Sequence, residues 1–135
     1  MNEKRIPKNE KGFTLIELLI TTVVVATVIL GFLGSATAMQ SANKAAYERS
    51  VALQDANQVI EDMRRTAASG TFPGNVTAVY TGTVDGYSNI PGEAVTVAYA
   101  DAAADPLDVT VTVSYNENSL RATSASVRTY ITQRA

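Results

Sequence analysis

A carboxylate stands inside an apolar run of bilayer length, and that pairing constrains this chain more than any other feature. From Leu18 to Gly34 the sequence reads LLITTVVVATVILGFLG, and Phe13 to Ile16 extend it. The whole exceeds the roughly 20 residues that cross about 30 Å of hydrocarbon as one helix. Glu17 lies within it. A charged side chain centred in such a helix costs on the order of 2.5 to 3.5 kcal/mol on insertion scales, so a partner has to be sought for it. Ahead of the run, residues 1–12 hold Lys4, Arg5, Lys8 and Lys11 against Glu3 and Glu10. By the positive-inside tendency this basic leader stays in the cytoplasm, and the chain beyond the run lies on the outer side.

Composition removes most chemistry. With 135 residues and no Cys, His or Trp, the chain has no thiol, no disulfide, no imidazole base and none of the commonest zinc ligands. No Ser/His/Asp or Cys/His arrangement is possible, and no enzyme, cofactor or metal site is expected. Asp101, Asp105 and Asp108 are oxygen donors of the kind calcium uses, but their spacing fits a solvated turn at Asp105-Pro106 better than a metal loop. Without the leader, Lys and Arg number 7 and Asp and Glu 11, a net charge of about −4, which gives nucleic acid no basic surface to bind.

Past Ser35 the helical pattern continues. Ala52, Ala56, Val59, Ile60, Met63 and Ala67 recur along one stripe, a core-packing pattern, and predict a helix to about Ala68. The breakers Gly70, Pro73 and Gly74 come next. Arg64 and Arg65, close to Glu61 and Asp62, read as a solvated face. Beyond, the period changes to two: Val95, Val97 and Tyr99, then Val109, Val111, Val113 and Tyr115, alternate with polar or small residues and predict half-buried strands. Val76 to Tyr80 and Thr123 to Thr132 are weaker strand candidates, and turn signals separate the elements. The predicted fold class is α+β, a long amino-terminal helix with three or four short antiparallel strands packed on its second half. The expected division is a leader over 1–12, a membrane or filament-core helix over 13–38, an amphipathic helix over 39–68 and an exported sheet domain over 69–135.

Lys11-Gly12-Phe13-Thr14-Leu15-Ile16-Glu17 closely resembles the leader-peptidase site of type IV pilins and of the pilin-like subunits of type II secretion. The resemblance covers residues 1 to about 40. It implies cleavage between Gly12 and Phe13 by a membrane prepilin peptidase, N-methylation of Phe13, and a need for Glu17 in filament assembly. The implied partners are that peptidase and methyltransferase, other pilin subunits, the inner-membrane assembly machinery and, before assembly, membrane lipid. Cleavage creates an α-amino group at Phe13, cationic at neutral pH. Glu17 of one subunit can then meet the Phe13 amine of a neighbour, which removes two lone charges from lipid together.

Further on, the resemblance loosens. Many major pilins carry a helix-breaking proline where Gly34 stands here, and their carboxy-terminal disulfide loop is missing. The stretches Ala52 to Arg65 and VTVTVSYNENSLRATSASVRTYIT are similar to pilus-modification minor pilins and to the minor pseudopilin they parallel. The implied role is a minor subunit of a type IV pilus. A minor pseudopilin of secretion or DNA uptake is the alternative, and a single-pass membrane-anchored binding module that never polymerises is the reading from another class. Gly31 and Gly34 either loosen the helix or pack closely against a neighbouring helix. Ala36-Thr37-Ala38 satisfies the small-x-small rule of an ordinary signal peptide, but the apolar region is too long for one. Asn75-Val76-Thr77 is a formal glycosylation sequon.

Overall fold

A computed structural model describes residues 12–133, so the leader residues before Gly12 lie outside the described chain. Internal contacts divide the protein into two units, the first ending at Gln40 and the second beginning at Ser41. Helix α1 (Leu15–Ala67) contributes to both.

In the first unit, α1 is apolar on every face. Leu15, Ile16, Leu18, Val23, Val28, Leu30 and Phe32 are each about half or more exposed, and the most apolar window of 18 residues buries nothing. A helix that is hydrophobic all round needs a lipid or protein surround. By length and composition it can cross a membrane. Its polar side chains suit that solvent. The hydroxyls of Thr21, Thr22, Thr27 and Thr37 donate to the carbonyls of Glu17, Leu19, Val23 and Gly34 at 2.7 to 2.9 Å, so each is satisfied within its own helix.

The second unit packs the remainder of α1 on an antiparallel meander of four strands in the order β1 (Gly82–Val84), β2 (Ala94–Tyr99), β3 (Leu107–Glu117) and β4 (Arg121–Ile131). The register sets like against like: Val95 pairs with Val113, Val97 with Val111, and Val111 in turn with Val127. The alternation read from β2 and β3 therefore becomes one buried face, Val95, Val97, Leu107, Val109, Val111, Val113 and Tyr115. Ala52, Ala56, Val59, Ile60, Met63 and Ala67 supply the helix side of that core. Alanines on the stripe allow helix and sheet to approach closely, and Met63 fills the irregular gap left between valines.

Two segments depart from expectation. Val76 to Tyr80, whose alternation predicts a strand, is helical through Val79 instead, belonging to α2 (Gly74–Val79) with Tyr80 as its C-cap. Only Val76 of that helix is buried, so a two-residue period had no face to serve. Local bonds decide the outcome: Pro73 takes an αR conformation at the start, and the Thr77 hydroxyl donates to the Pro73 carbonyl at 3.3 Å. Strand β1, with three residues and only Val84 half-buried, has no legible period at all. Elsewhere the bounds agree closely, with α1 ending at Ala67 and β4 covering most of the predicted Thr123–Thr132 segment.

Candidate functional site

The candidate site is the start of α1. Gly12 is exposed, has no left-handed φ, and a Cβ placed there would meet nothing within 4 Å, so nothing in the fold requires glycine at this position. Phe13 is 76% exposed and precedes the helix. Thr14 acts as its cap: its carbonyl accepts the N–H groups of Glu17 and Leu18 at 3.0 and 3.2 Å, and its hydroxyl oxygen accepts that of Glu17 at 3.3 Å. Glu17 is exposed and makes no ion pair among the described residues. Along α1 the next charged side chain is Lys44, so the intervening span holds no cation to pair with it.

Gly31 and Gly34 lie inside an unbroken α1, and a Cβ at either would meet open space. Their small size leaves two shallow places on an apolar surface, three residues apart on one side of the helix.

The second unit holds polar groups that periodicity alone passed over. Glu48 and Asp55 are 2% and 5% exposed and lie on the same stripe as Ala52, Ala56 and Val59. That shared phase was the signal available in the sequence. Glu48 Oε2 accepts the Asn118 backbone N–H at 2.8 Å, while its Oε1 faces Lys44 Nζ at 3.7 Å. Both Asp55 oxygens accept from the Asn89 side-chain amide at 3.1 and 3.2 Å. Glu93 Oε2 accepts the Asn89 backbone N–H at 2.7 Å, and burial followed by a hydrogen bond to Asp55 raises the Glu93 carboxyl above its ordinary value.

The aspartates proposed for a turn are occupied in different ways. Asp101 accepts the Ala103 N–H at 2.9 Å and closes its own turn. Asp108 is gripped from across the sheet by Arg128, whose Nε donates to Oδ1 at 2.9 Å, and this hydrogen bond lowers the Asp108 carboxyl below its ordinary value. Among the described residues no three metal-ligating side chains cluster. The Asn75 side-chain amide, the group a glycan would take, donates to the Thr66 carbonyl at the end of α1.

Arg64 and Arg65 pair with Glu61 and Asp62 at 3.6 and 3.5 Å, as a solvated face would. They border a cleft of about 510 Å³ lined also by Glu61, Tyr130 and Thr132, whose one carboxylate is the partner of Arg64.

Residues 7–33 match the model of the prokaryotic N-terminal methylation motif. No curated protein and no solved structure matches the chain. The matched motif covers the second half of the leader with Lys8 and Lys11, the Gly12-Phe13 junction, Glu17 and most of the apolar helix of the first unit. The chain thus carries a prepilin-type methylation motif at its start, and its long amino-terminal helix continuing into an antiparallel sheet unit is a pilin-like architecture.

Proposed function

We propose that this chain is a minor subunit of a type IV pilus, made as a single-pass inner-membrane precursor with its leader in the cytoplasm. The leader peptidase cuts between Gly12 and Phe13, Phe13 is N-methylated, and the subunit then enters a filament held together by its apolar helices. The observation that carries this reading is Glu17. It is the one charge between Leu15 and Asn43 of α1, a span whose four threonine hydroxyls are satisfied internally, and it stands one turn from the amine that cleavage would create. Pairing Glu17 with the amine of a neighbouring subunit removes both charges from lipid at the correct axial stagger.

Two further features support the details. Nothing around Gly12 needs glycine for folding, so its presence is explained by the active site of a processing enzyme, where a backbone without a side chain fits. The absence of proline at Gly34 and of cysteine anywhere favours a minor subunit over the main shaft.

Glu17→Gln tests the proposal in cells that assemble the filament. Mass spectrometry should find the variant processed and methylated at Phe13, while sheared filaments should lack it. Wild-type incorporation of Glu17→Gln would overturn the pairing mechanism. Wild-type protein found only in the envelope would assign the chain to a secretion or uptake pseudopilus.

A further inference from the structure

The hairpin between β3 and β4 ends in a tip held by hydrogen bonds on both sides. Asn118 and Ser119 both adopt left-handed backbone, with φ of 51° and 63°, and Leu120 N–H donates to the Glu117 carbonyl at 3.0 Å. On one side the tip is held by Glu48, through the Asn118 N–H bond to a carboxylate that is 2% exposed. On the other, the Asn116 N–H donates to the Pro91 carbonyl at 2.8 Å. Gly92 makes that approach possible, since a Cβ there would lie 2.3 Å from the Asn116 side chain and its φ is +68°. This well-braced turn presents Leu120, 92% exposed, and after it the exposed Arg121.

The charges near the tip are unequally displayed. Lys44, Arg49 and Arg121 are exposed, whereas Glu48 is buried and Glu117 half-buried. An exposed apolar side chain at a turn with exposed cations on the elements that flank it is the chemistry of a membrane-surface contact. Helix α1 supplies the depth. Lys44 is the first charge after Glu17, so it marks the outer limit of the segment that lipid can hold without burying a second charge. Glu48, which holds the tip, comes one turn later, roughly 6 Å along the axis.

We propose that the Asn118–Arg121 tip is a bilayer contact of the unassembled precursor: Leu120 enters the headgroup region, and Lys44 and Arg121 lie on anionic lipid phosphates. This rests on the reading of the chain as a membrane precursor. The contact steadies the second unit against the surface until the subunit leaves lipid for the filament.

The chain has no Trp, so Leu120→Trp installs a single fluorescent reporter, and Ala102→Trp, in the β2–β3 turn at the other end of β3, serves as its control. Each full-length variant is reconstituted into vesicles of phosphatidylcholine and phosphatidylglycerol carrying acyl chains brominated near the headgroup. Circular dichroism confirms that the variants fold alike. The expected result is co-flotation of both variants, with a blue shift and quenching for Leu120→Trp alone and weaker quenching when phosphatidylglycerol is omitted. Co-flotation with solvent-like emission from Leu120→Trp overturns the tip contact and leaves the precursor reading standing. Equal quenching in both variants, or a blue shift without quenching, also overturns it, the latter pointing to protein contact. Failure to float with the vesicles overturns both.

Discussion

The hydroxyl oxygen of Thr14 accepts the backbone N–H of Glu17 at 3.3 Å, which makes the residue that caps α1 and the one charge it carries before Lys44 partners in one turn. Thr14-Leu15-Ile16-Glu17 thus has the spacing of a capping box, with Glu17 at the third helical position, where the helix dipole also favours a carboxylate. Glu17 has a local helical role as well as the intersubunit one proposed for it. The two separate by mutation. Thr14→Ala removes the cap, at a cost of about 0.5–2 kcal/mol to the helix start, and keeps the charge. It should increase hydrogen exchange at Glu17 and Leu18 while leaving filament incorporation measurable. A loss of incorporation as complete as that of Glu17→Gln would show that the cap, not the charge, limits assembly.

Glu48 offers a second separable case. Replacing it with Ala strands the Asn118 N–H at the β3–β4 tip and leaves Lys44 without its partner at 3.7 Å. An orphaned buried donor costs about 1–3 kcal/mol. Glu48→Gln keeps an acceptor of nearly the same shape and should lose less. Thermal unfolding of the detergent-solubilised chain ranks the two, and equal losses would mean that charge rather than the hydrogen bond holds the tip.

Elements with a strong period and a face to bury were legible in the sequence. The stripe from Ala52 to Ala67 and the alternations at Val95–Val97 and Val109–Tyr115 are buried as their spacing predicted, with Tyr99 half-buried against the same core. Val76 to Tyr80 misled because five alternating residues also fit a single helical turn, and Pro73 and Thr77 bonded locally to make one. Glu48 and Asp55 were passed over because a search for apolar residues skips acids, even acids in phase with the stripe. At the amino terminus, Gly12 and Glu17 were conspicuous for the opposite reason. Gly12 serves no need of the fold, and the helix-start role of Glu17 leaves its charge unpaired in an apolar span, so both direct attention to a partner.

Met63 tests the helix–sheet core. It is the largest of the fully buried side chains and packs among valines with little room to relax. Met63→Ala should destabilise the second unit by about 2–5 kcal/mol. Denaturant titration of the full chain in detergent measures it, and a loss much below about 1 kcal/mol would imply that the sheet does not close on α1.

Tyr99 should be the last tyrosine to ionise. Burial, then the nearby Tyr80, pushes its hydroxyl up to about 12 from an ordinary 10, and that hydroxyl donates to the Tyr80 carbonyl. The protonated form is favoured by the fold, so its contribution is present below pH 10 and lost as pH rises through about 12. Ultraviolet difference titration should show a late step that Tyr99→Phe removes.

Glu93 makes the acid-range stability of the second unit run opposite to that of an ordinary ion pair. Burial raises its carboxyl, the hydrogen bond to Asp55 raises it further, and the backbone N–H groups of Asn89 and Ile90 only partly offset them. Tyr87 lies near both carboxyl groups and, raised itself by burial and by Asp62, stays neutral across this range. Because the folded state holds the Glu93 proton more tightly than the unfolded state, its contribution is complete below about pH 4.5 and is lost as pH rises through the elevated value. Asp108, lowered by Arg128, acts in the other direction: its contribution is present above about pH 3.8 and is lost as pH falls below that. The two windows do not overlap. The melting temperature should therefore decline from pH 4.5 toward neutrality and also decline below pH 3.8. Glu93→Gln should abolish the first decline and spare the second, because an amide cannot lose the proton that the Asp55 contact requires. A Glu93→Gln profile that still falls toward neutral pH would place the responsible group elsewhere.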